Sequence, residues 1–180
     1  PWLPVPGNRH FQRMRDQLDQ IVHELIEHRR KQGVGDNDML DRLLAARDTE
    51  TGEGMSETQL RDEIVTLLLA GHETTGTAIA WTLYLLSQHP QVEAQLVAEL
   101  GSVLSGAPAT SADLIRLPYL KQVMQESLRL YPPIWAIARQ NTEQIELGGY
   151  RIPAGSYLVM PIYSLHRHPE YWPDAEQFDP

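Results

Sequence analysis

Cysteine is absent from all 180 residues of the sequence. This absence excludes disulfide bonds, cysteine-ligated zinc and thiol nucleophiles within the chain, and it is typical of a reducing compartment. Basic residues are in the minority, with 15 lysines and arginines against 24 acidic residues, so the formal net charge is −9. Nucleic-acid binding requires a basic face. We therefore expect a cytoplasmic protein that does not bind nucleic acid.

Long uncharged runs are scarce, but the one at residues 74–92 has about the length of a membrane span. This run contains several threonines and glutamines as well as His89 and Pro90, and Glu73 comes directly before it. Because polar groups are costly in lipid, the run favours a buried core helix. The sequence therefore predicts no membrane span.

Hydrophobic residues recur at helical spacing over most of the chain before Pro132. After a proline-rich extended opening, a helical stripe runs through Phe11, Met14, Leu18, Ile21, Val22, Leu25 and Ile26. Gly33 and Gly35 should end this helix, since glycine commonly follows a helix C-terminus. Further helices are predicted at residues 39–46, 90–100 and 119–130, with a loop at 101–110 and one or two helical turns at 111–117.

One helix should be unusually long, spanning about residues 56–89. Ser56 and Gln59 have the spacing of a capping box, and no helix breaker follows until Pro90. The centre of this helix is apolar on nearly all faces, as expected of a helix that crosses the middle of a large protein. The other helices are too few to cover it. We therefore predict that residues 1–180 form a single partial domain.

A small antiparallel β-sheet is predicted in the last third of the chain. Residues 144–147 and 150–152 alternate between apolar and polar side chains around Gly148-Gly149, which is a hairpin signal. A third strand is predicted at 157–160, followed by loop from Pro161, where His166 and His168 should be exposed. The fold class is thus mainly α with a small antiparallel β-sheet.

The segment Ala70-Gly71-His72-Glu73-Thr74-Thr75 breaks local rules in the middle of the long helix. Glycine costs ~1 kcal/mol relative to alanine in a helix, and two threonines are stiff there. Such violations in a core helix are expected at functional sites, although a kinked helix with a satisfied polar pocket is an equal interpretation. A zinc-protease motif is excluded because its second histidine would fall on Gly76.

A second polar group, Glu126 with Arg129, lies on a largely apolar predicted helix. Residues three apart share one helix face, so the two side chains can pair. An exposed pair would be weak evidence of any function. Here the neighbouring leucines, valine and methionine indicate burial, and Tyr131-Pro132-Pro133 follows at once. Buried pairs need further partners.

These two groups and Gly148-Gly149-Tyr150-Arg151-Ile152-Pro153-Ala154-Gly155, taken in order, resemble the cytochrome P450 family in its soluble bacterial branch. The resemblance extends across essentially the whole chain. It implies a partial cytochrome P450 fold that binds haem b. Ala70 and Gly71 would lie against the porphyrin, with Thr74 and Thr75 beside it. Glu73 and Thr74 would be catalytic, delivering protons to dioxygen from a buried position.

The resemblance assigns further roles by position. Glu126 and Arg129 would form a structural ion pair that braces the haem-binding core. Arg139 would bind a haem propionate, a charge-assisted contact. The substrate pocket would be lined by Ile134, Trp135, Ala136 and Ile137. No metal ligand is expected within these residues, because the axial cysteine that the family uses would lie beyond Pro180.

The function implied is that of a monooxygenase, which inserts one oxygen atom from dioxygen into an apolar organic substrate. Electrons would come from NADPH or NADH through a redox partner, a ferredoxin or a flavin reductase, separate or fused. The 180 residues alone should be inactive. Two alternatives stay open: a peroxide-using or isomerising haem-thiolate enzyme, and a non-catalytic helical interaction domain.

Overall fold

The computed structural model describes residues 6–33 and 38–180, which form helices and two small antiparallel sheets. The helices are α1 (Pro6–Gln32), α2 (Met39–Ala45), α3 (Glu57–Gln88), α4 (Pro90–Leu104), α5 (Pro118–Leu130) and α6 (Ile162–Leu165), with a 3₁₀ helix at Ser111–Arg116. The strands are β1 (Ile137–Gln140), β2 (Ile145–Leu147), β3 (Tyr150–Ile152) and β4 (Tyr157–Met160). The predicted fold class and long helix are confirmed.

The chain divides into two compact units, with the boundary between His72 and Glu73 in α3. In the first unit, Val22 and Ile26 of α1 pack against Leu60 and Ile64 of α3. The predicted capping box begins α3: the Ser56 amide donates to Gln59 Oε1 at 3.0 Å, and the Gln59 amide donates to Ser56 Oγ at 3.3 Å. That a single domain unites the two units stays a prediction.

The second unit is built around the end of α3 with α4 and α5. Its core contains Leu85, Leu96, Val123, Leu130 and Phe178. Both α4 and α5 begin with proline, which fits the first helical position because that residue needs no amide hydrogen bond. The apolar stripes of these helices therefore face one shared core.

Two differences from the sequence prediction concern the strands. The β2–β3 hairpin forms as expected, with Leu147 opposite Tyr150. However, β4 pairs with β1, which was not predicted, and the two form a separate sheet with Ile137 opposite Met160. Strand β1 has only four residues and its partner is distant in sequence, so no local sequence pattern predicts this strand.

Other differences concern helix ends. Helix α4 continues to Leu104 into the predicted loop, and Ser105 ends it with a left-handed φ of 50°. Helix α1 already begins at Pro6, so the prediction of an extended opening is wrong from Pro6 onward. Residues 1–5 of the predicted opening lie outside the described residues. Gly33 does follow α1, with a φ of 80°, whereas Gly35 lies outside the described residues. The predicted loop after Pro161 contains the short helix α6.

The apolar centre of α3 is not covered within the first unit. Leu67, Leu68 and Leu69 are 42%, 49% and 61% exposed. This exposure of the three leucines agrees with the expectation that the other helices are too few to cover α3.

Within residues 6–33 and 38–180, no helix combines the length and apolarity that crossing a membrane requires.

Candidate functional site

The polar segment at the middle of α3 is more exposed than predicted. Glu73 and Thr75 are exposed, and Thr74 is half-buried. The expectation of a buried position is therefore wrong for Glu73 in this chain. The reason is that α5 meets α3 further along, where the buried Thr82 hydroxyl lies 3.7 Å from Met124 Sδ. The contact between α5 and α3 thus leaves the Glu73 side chain exposed.

Ala70 and Gly71 belong to the first unit and are also exposed. A methyl group added at Gly71 would meet no atom within 4 Å beyond its chain neighbours and the adjacent backbone of its own helix. Gly71 thus keeps open the surface that a flat ligand would need for a close approach to the helix backbone.

A groove of about 520 Å³ in the second unit brings several predicted site residues together. It is lined by Thr74, Thr75, Ala78, Ile79, Met124, Leu128, Pro132, Pro133, Ile134 and His166. Thr74 and Thr75 come from α3, whereas Ile134 follows the end of α5. Most of the lining is apolar, so the groove suits an apolar ligand beside two hydroxyl groups.

The local sequence explains the shape of the groove. Helix α5 ends at Leu130 because Pro132 and Pro133 cannot continue it, and these prolines form one wall. On the opposite wall lies Ala78, whose carbonyl accepts a 2.8 Å hydrogen bond from the Thr82 hydroxyl one turn later. This bond satisfies the Thr82 hydroxyl, which is buried where α3 contacts α5.

The other three predicted pocket residues lie elsewhere. Trp135 is 69% exposed, and its carbonyl accepts a 3.0 Å hydrogen bond from the Tyr163 amide. Ala136 is half-buried, and Ile137 begins β1. The groove therefore contains Ile134 but none of the three residues that follow it.

Glu126 and Arg129 form a buried, bidentate ion pair. Arg129 Nε and Nη2 each donate to a Glu126 carboxylate oxygen at 2.7 Å. The two side chains are only 6% and 12% exposed, for Arg129 and Glu126 respectively. Hydrogen bonding to Glu126 raises the pKa of Arg129 above its already high ordinary value, although burial opposes this. The Arg129 guanidinium therefore stays charged at every physiological pH.

Arg129 also joins α5 to the end of the chain. Its Nη1 donates to the carbonyls of His166 and Ala175, and its Nη2 donates to that of Gln177. Its guanidinium lies 4.8 Å from the ring centre of Trp172. These bonds supply the further partners that a buried pair requires.

Arg139 lies on β1 opposite Leu158, and its side chain is exposed. Its guanidinium donates to the Ala138 carbonyl at 2.8 Å. Among the described residues, no carboxylate forms an ion pair with it. An exposed cation of this kind fits a haem propionate. The 180 residues contain no cysteine that could supply a thiolate ligand to a haem iron.

Sequence reasoning misjudged His166. It was expected to be exposed, but it is half-buried and lines the groove. Its Nδ1 lies 3.2 Å from the carbonyl of Arg129, and its own carbonyl accepts from Arg129 Nη1 at 3.0 Å. Nothing in its local sequence indicates this position, since it depends on Arg129, 37 residues away. His168 is exposed, as predicted.

Comparison with known proteins gives consistent relatives. The chain is 44% identical over 178 residues to the cyclooctat-9-en-7-ol 5-monooxygenase of Streptomyces melanosporofaciens, covering 99% of this chain and 39% of the relative. It is 36% identical over 178 residues to the pentalenene oxygenase of Streptomyces avermitilis, with the same coverage of 99% and 39%. The chain thus spans about two-fifths of the length of the curated relatives it matches.

Solved structures agree with the sequence relatives. The retinoic acid-bound cyanobacterial CYP120A1 superposes with a TM-score of 0.88 and 34% identity, covering 98% of this chain and 41% of that chain. A family model described as cytochrome P450 matches residues 1–180. The chain therefore belongs to the cytochrome P450 family.

Proposed function

We propose that the whole protein carrying this chain is a haem-dependent monooxygenase that inserts one oxygen atom from dioxygen into an apolar cyclic hydrocarbon. The observation that supports this best is the groove, where Thr74 and Thr75 lie across from Ile134. Hydroxyl groups that can carry protons and a mostly apolar wall are what hydroxylation of a hydrocarbon requires.

For the substrate class we propose cyclic terpenes. Two similar relatives are named for oxygenating cyclooctat-9-en-7-ol and pentalenene. A terpene skeleton offers almost no hydrogen-bonding groups, so it is held by burial of apolar surface and by shape. The lining of Ala78, Ile79, Leu128 and Ile134 suits such a ligand.

Haem, when bound, supplies the oxidising chemistry, and the protein supplies position and protons. Ala70 and Gly71 would lie against the porphyrin face, and Arg139 would bind a propionate. Thr75 would border the cofactor. These assignments carry the family's motifs onto the matching positions of this chain.

Thr74 and Glu73 would move protons into the groove. Glu73 is exposed, so its carboxylate can exchange protons with bulk water, whereas the half-buried Thr74 lines the groove. Consecutive residues on a helix do not face each other, so a bridging water molecule would carry the proton between the two side chains. Exposure of Glu73 is therefore compatible with a relay that begins in solvent.

Electrons would come from NADPH or NADH through a redox partner, a ferredoxin or a flavin reductase. A requirement for NADPH or NADH distinguishes this function from a peroxide-using or isomerising haem-thiolate enzyme. Membership of an oxygenase family argues against a non-catalytic helical interaction domain.

The test is a comparison of Thr74→Ala with Thr66→Ala in the full-length protein. Thr66 lies on the same helix, but its hydroxyl donates to the Asp62 carbonyl at 2.7 Å and does not line the groove. In Thr74→Ala, we expect the fraction of consumed NADPH that yields product to fall at least about tenfold. Thr66→Ala should leave that fraction unchanged. Unchanged coupling in Thr74→Ala would contradict the assigned role.

A further inference from the structure

A ladder of four stacked side chains lies beside the groove in the second unit. The rings of Trp81 and Tyr131 stack with centroids 4.1 Å apart and planes 7° apart. The guanidinium of Arg167 lies 5.9 Å from the Tyr131 ring centre and 3.8 Å from that of Tyr163. We refer to Trp81, Tyr131, Arg167 and Tyr163 as the aromatic ladder.

The ladder connects the three segments that form the groove. Trp81 lies on α3, less than one turn after the lining residues Ala78 and Ile79. Tyr131 immediately precedes Pro132, which lines the opposite wall. Arg167 immediately follows His166, the groove residue from the end of the chain. Each of these three side chains is thus at most two residues from a groove-lining one.

Arg167 is fixed mainly by these rings. Its side chain is only 10% exposed, and its Nε donates to the exposed Glu176 at 2.9 Å. Its Nη1 is buried and has no hydrogen-bond partner among the described residues. A buried guanidinium without a full set of acceptors is costly unless the ring faces compensate for it. The contact with Tyr163 therefore helps to hold Arg167 in place beside His166, which Arg129 binds from the other side.

We propose that the aromatic ladder positions the walls of the groove and thereby determines which carbon atom of a bound hydrocarbon is oxidised. The proposal rests on the function proposed above. Trp81 and Tyr131 are the central positioning residues, because their stack joins α3, which carries Thr74, to the wall formed by Pro132, Pro133 and Ile134. A cyclic terpene offers at most a hydroxyl group or two besides its hydrocarbon skeleton, so the orientation of the substrate depends largely on the position of the walls.

The test compares variants that remove a ring with variants that keep one. In the full-length protein, Tyr131→Leu and Trp81→Leu break the stack, whereas Tyr131→Phe and Trp81→Phe preserve an aromatic face. Leu60→Ala, in the core of the first unit, serves as a control for loss of stability alone. The probe is cyclooctat-9-en-7-ol, and the measurements are its dissociation constant and the ratio of hydroxylated products.

We expect the leucine variants to change the product ratio by about tenfold and to weaken probe binding, since small displacements of a positioned substrate have large effects. The phenylalanine variants should keep the product ratio of the parent protein. Leu60→Ala should lower the melting temperature but leave the product ratio unchanged. Trp81 is 38% exposed, so Trp81→Leu should fold even where Tyr131→Leu does not.

Unchanged product ratio and binding in folded leucine variants would overturn the proposal, as would an equal change in Leu60→Ala. If the parent protein binds the probe but forms no product, the proposed function fails while the binding comparison still tests the ladder. If the parent does not bind the probe, pentalenene replaces it, and failure with both overturns the ladder as a determinant of terpene orientation.

Discussion

Arg129 binds Glu126 through two hydrogen bonds of 2.7 Å while donating to three backbone carbonyls that lie 37, 46 and 48 residues further along the chain. A guanidinium has five N–H groups, and here each is used. The Asp179 amide also donates to Glu126 Oε1 at 3.2 Å. The pair thus joins α5 to the segment that follows α6.

Replacing Arg129 by lysine should destabilise the protein strongly. Lysine keeps the charge but has three N–H donors and no planar fork, so Glu126 and several carbonyls lose their partners. Each buried acceptor that is left without a donor costs about 1–3 kcal/mol. The free energy of unfolding of the full-length protein in urea measures this. The control is Arg151→Lys on β3, which is exposed and should change stability by less than about 0.5 kcal/mol. Equal effects of the two substitutions would contradict the structural role.

The sequence predicted this pair but not its partners. Glu126 and Arg129 are neighbours on one helix face, so local periodicity is enough to place them together. The carbonyls of Ala175 and Gln177 lie in an irregular segment without periodicity. Because every residue type has a backbone carbonyl, the sequence does not indicate which carbonyls accept these bonds. Strand β1 and His166 were missed for the same reason, since both are determined by contacts with distant segments.

The long helix shows where local rules succeed. Ser56 and Gln59 predicted its beginning and Pro90 its end, because capping and the missing proline amide act within one turn. The burial of Glu73 was wrong, since burial depends on what packs against the helix. The groove joins Thr74 to Ile134, and only the family resemblance had suggested that both serve one site.

The turn of the β2–β3 hairpin gives a second prediction. Gly148 and Gly149 have φ angles of 58° and 81°, as in the type I′ turn that joins two-residue hairpins. Gly149→Val should cost on the order of 1–3 kcal/mol, because a β-branched residue is strained at positive φ. Gly148→Asn should cost less, since asparagine adopts this conformation. Urea unfolding of both variants measures the difference.

Gly101→Ala provides a contrast to the turn variants. Gly101 lies within α4 at negative φ, and an added methyl group would meet no atom within 4 Å. Alanine should therefore stabilise the protein by roughly 0.5–1 kcal/mol. If Gly149→Val were as well tolerated as Gly101→Ala, the assigned turn would be wrong.

The third prediction concerns Asp38, which precedes α2. Hydrogen bonds from Arg29 and from the Asp41 amide hold the pKa of Asp38 below its ordinary value. A carboxyl whose pKa is lower in the folded state stabilises that state when ionised. This contribution is complete above the unfolded pKa of about 3.9 and is lost as the pH falls through the lower folded pKa.

Two variants test the origin of this pKa shift. Asp38→Asn should be less stable than the parent near neutral pH, and the difference should shrink at a pH below about 4. Arg29→Gln should raise the pKa of Asp38, because the largest cause of the lowering is removed. Titration of the Asp38 carboxyl by NMR measures this directly. An unchanged pKa in Arg29→Gln would contradict the role of Arg29 and leave the amides of Asp41 and Leu40 as the cause.

The last prediction follows from the absence of cysteine. The chain contains no thiol, and its described residues contain no cluster of three histidine, aspartate or glutamate side chains that could hold a metal ion. Haem added to the 180-residue chain should therefore give no thiolate-type Soret band in the carbon monoxide difference spectrum, and no hydroxylation with NADPH and a reductase. A thiolate is what gives the family's iron its reactivity.

A matched control separates the missing ligand from a failure to fold. The full-length protein, with haem, should give the thiolate-type band, and replacement of its axial cysteine by serine should abolish that band. Far-ultraviolet circular dichroism of the 180-residue chain reports whether its helices form. If a helical 180-residue chain gave the band or turned over substrate, a group other than cysteine would have to ligate the iron. The assignment of Arg139, Thr74 and Glu73 to the surroundings of a thiolate-bound haem would then fail.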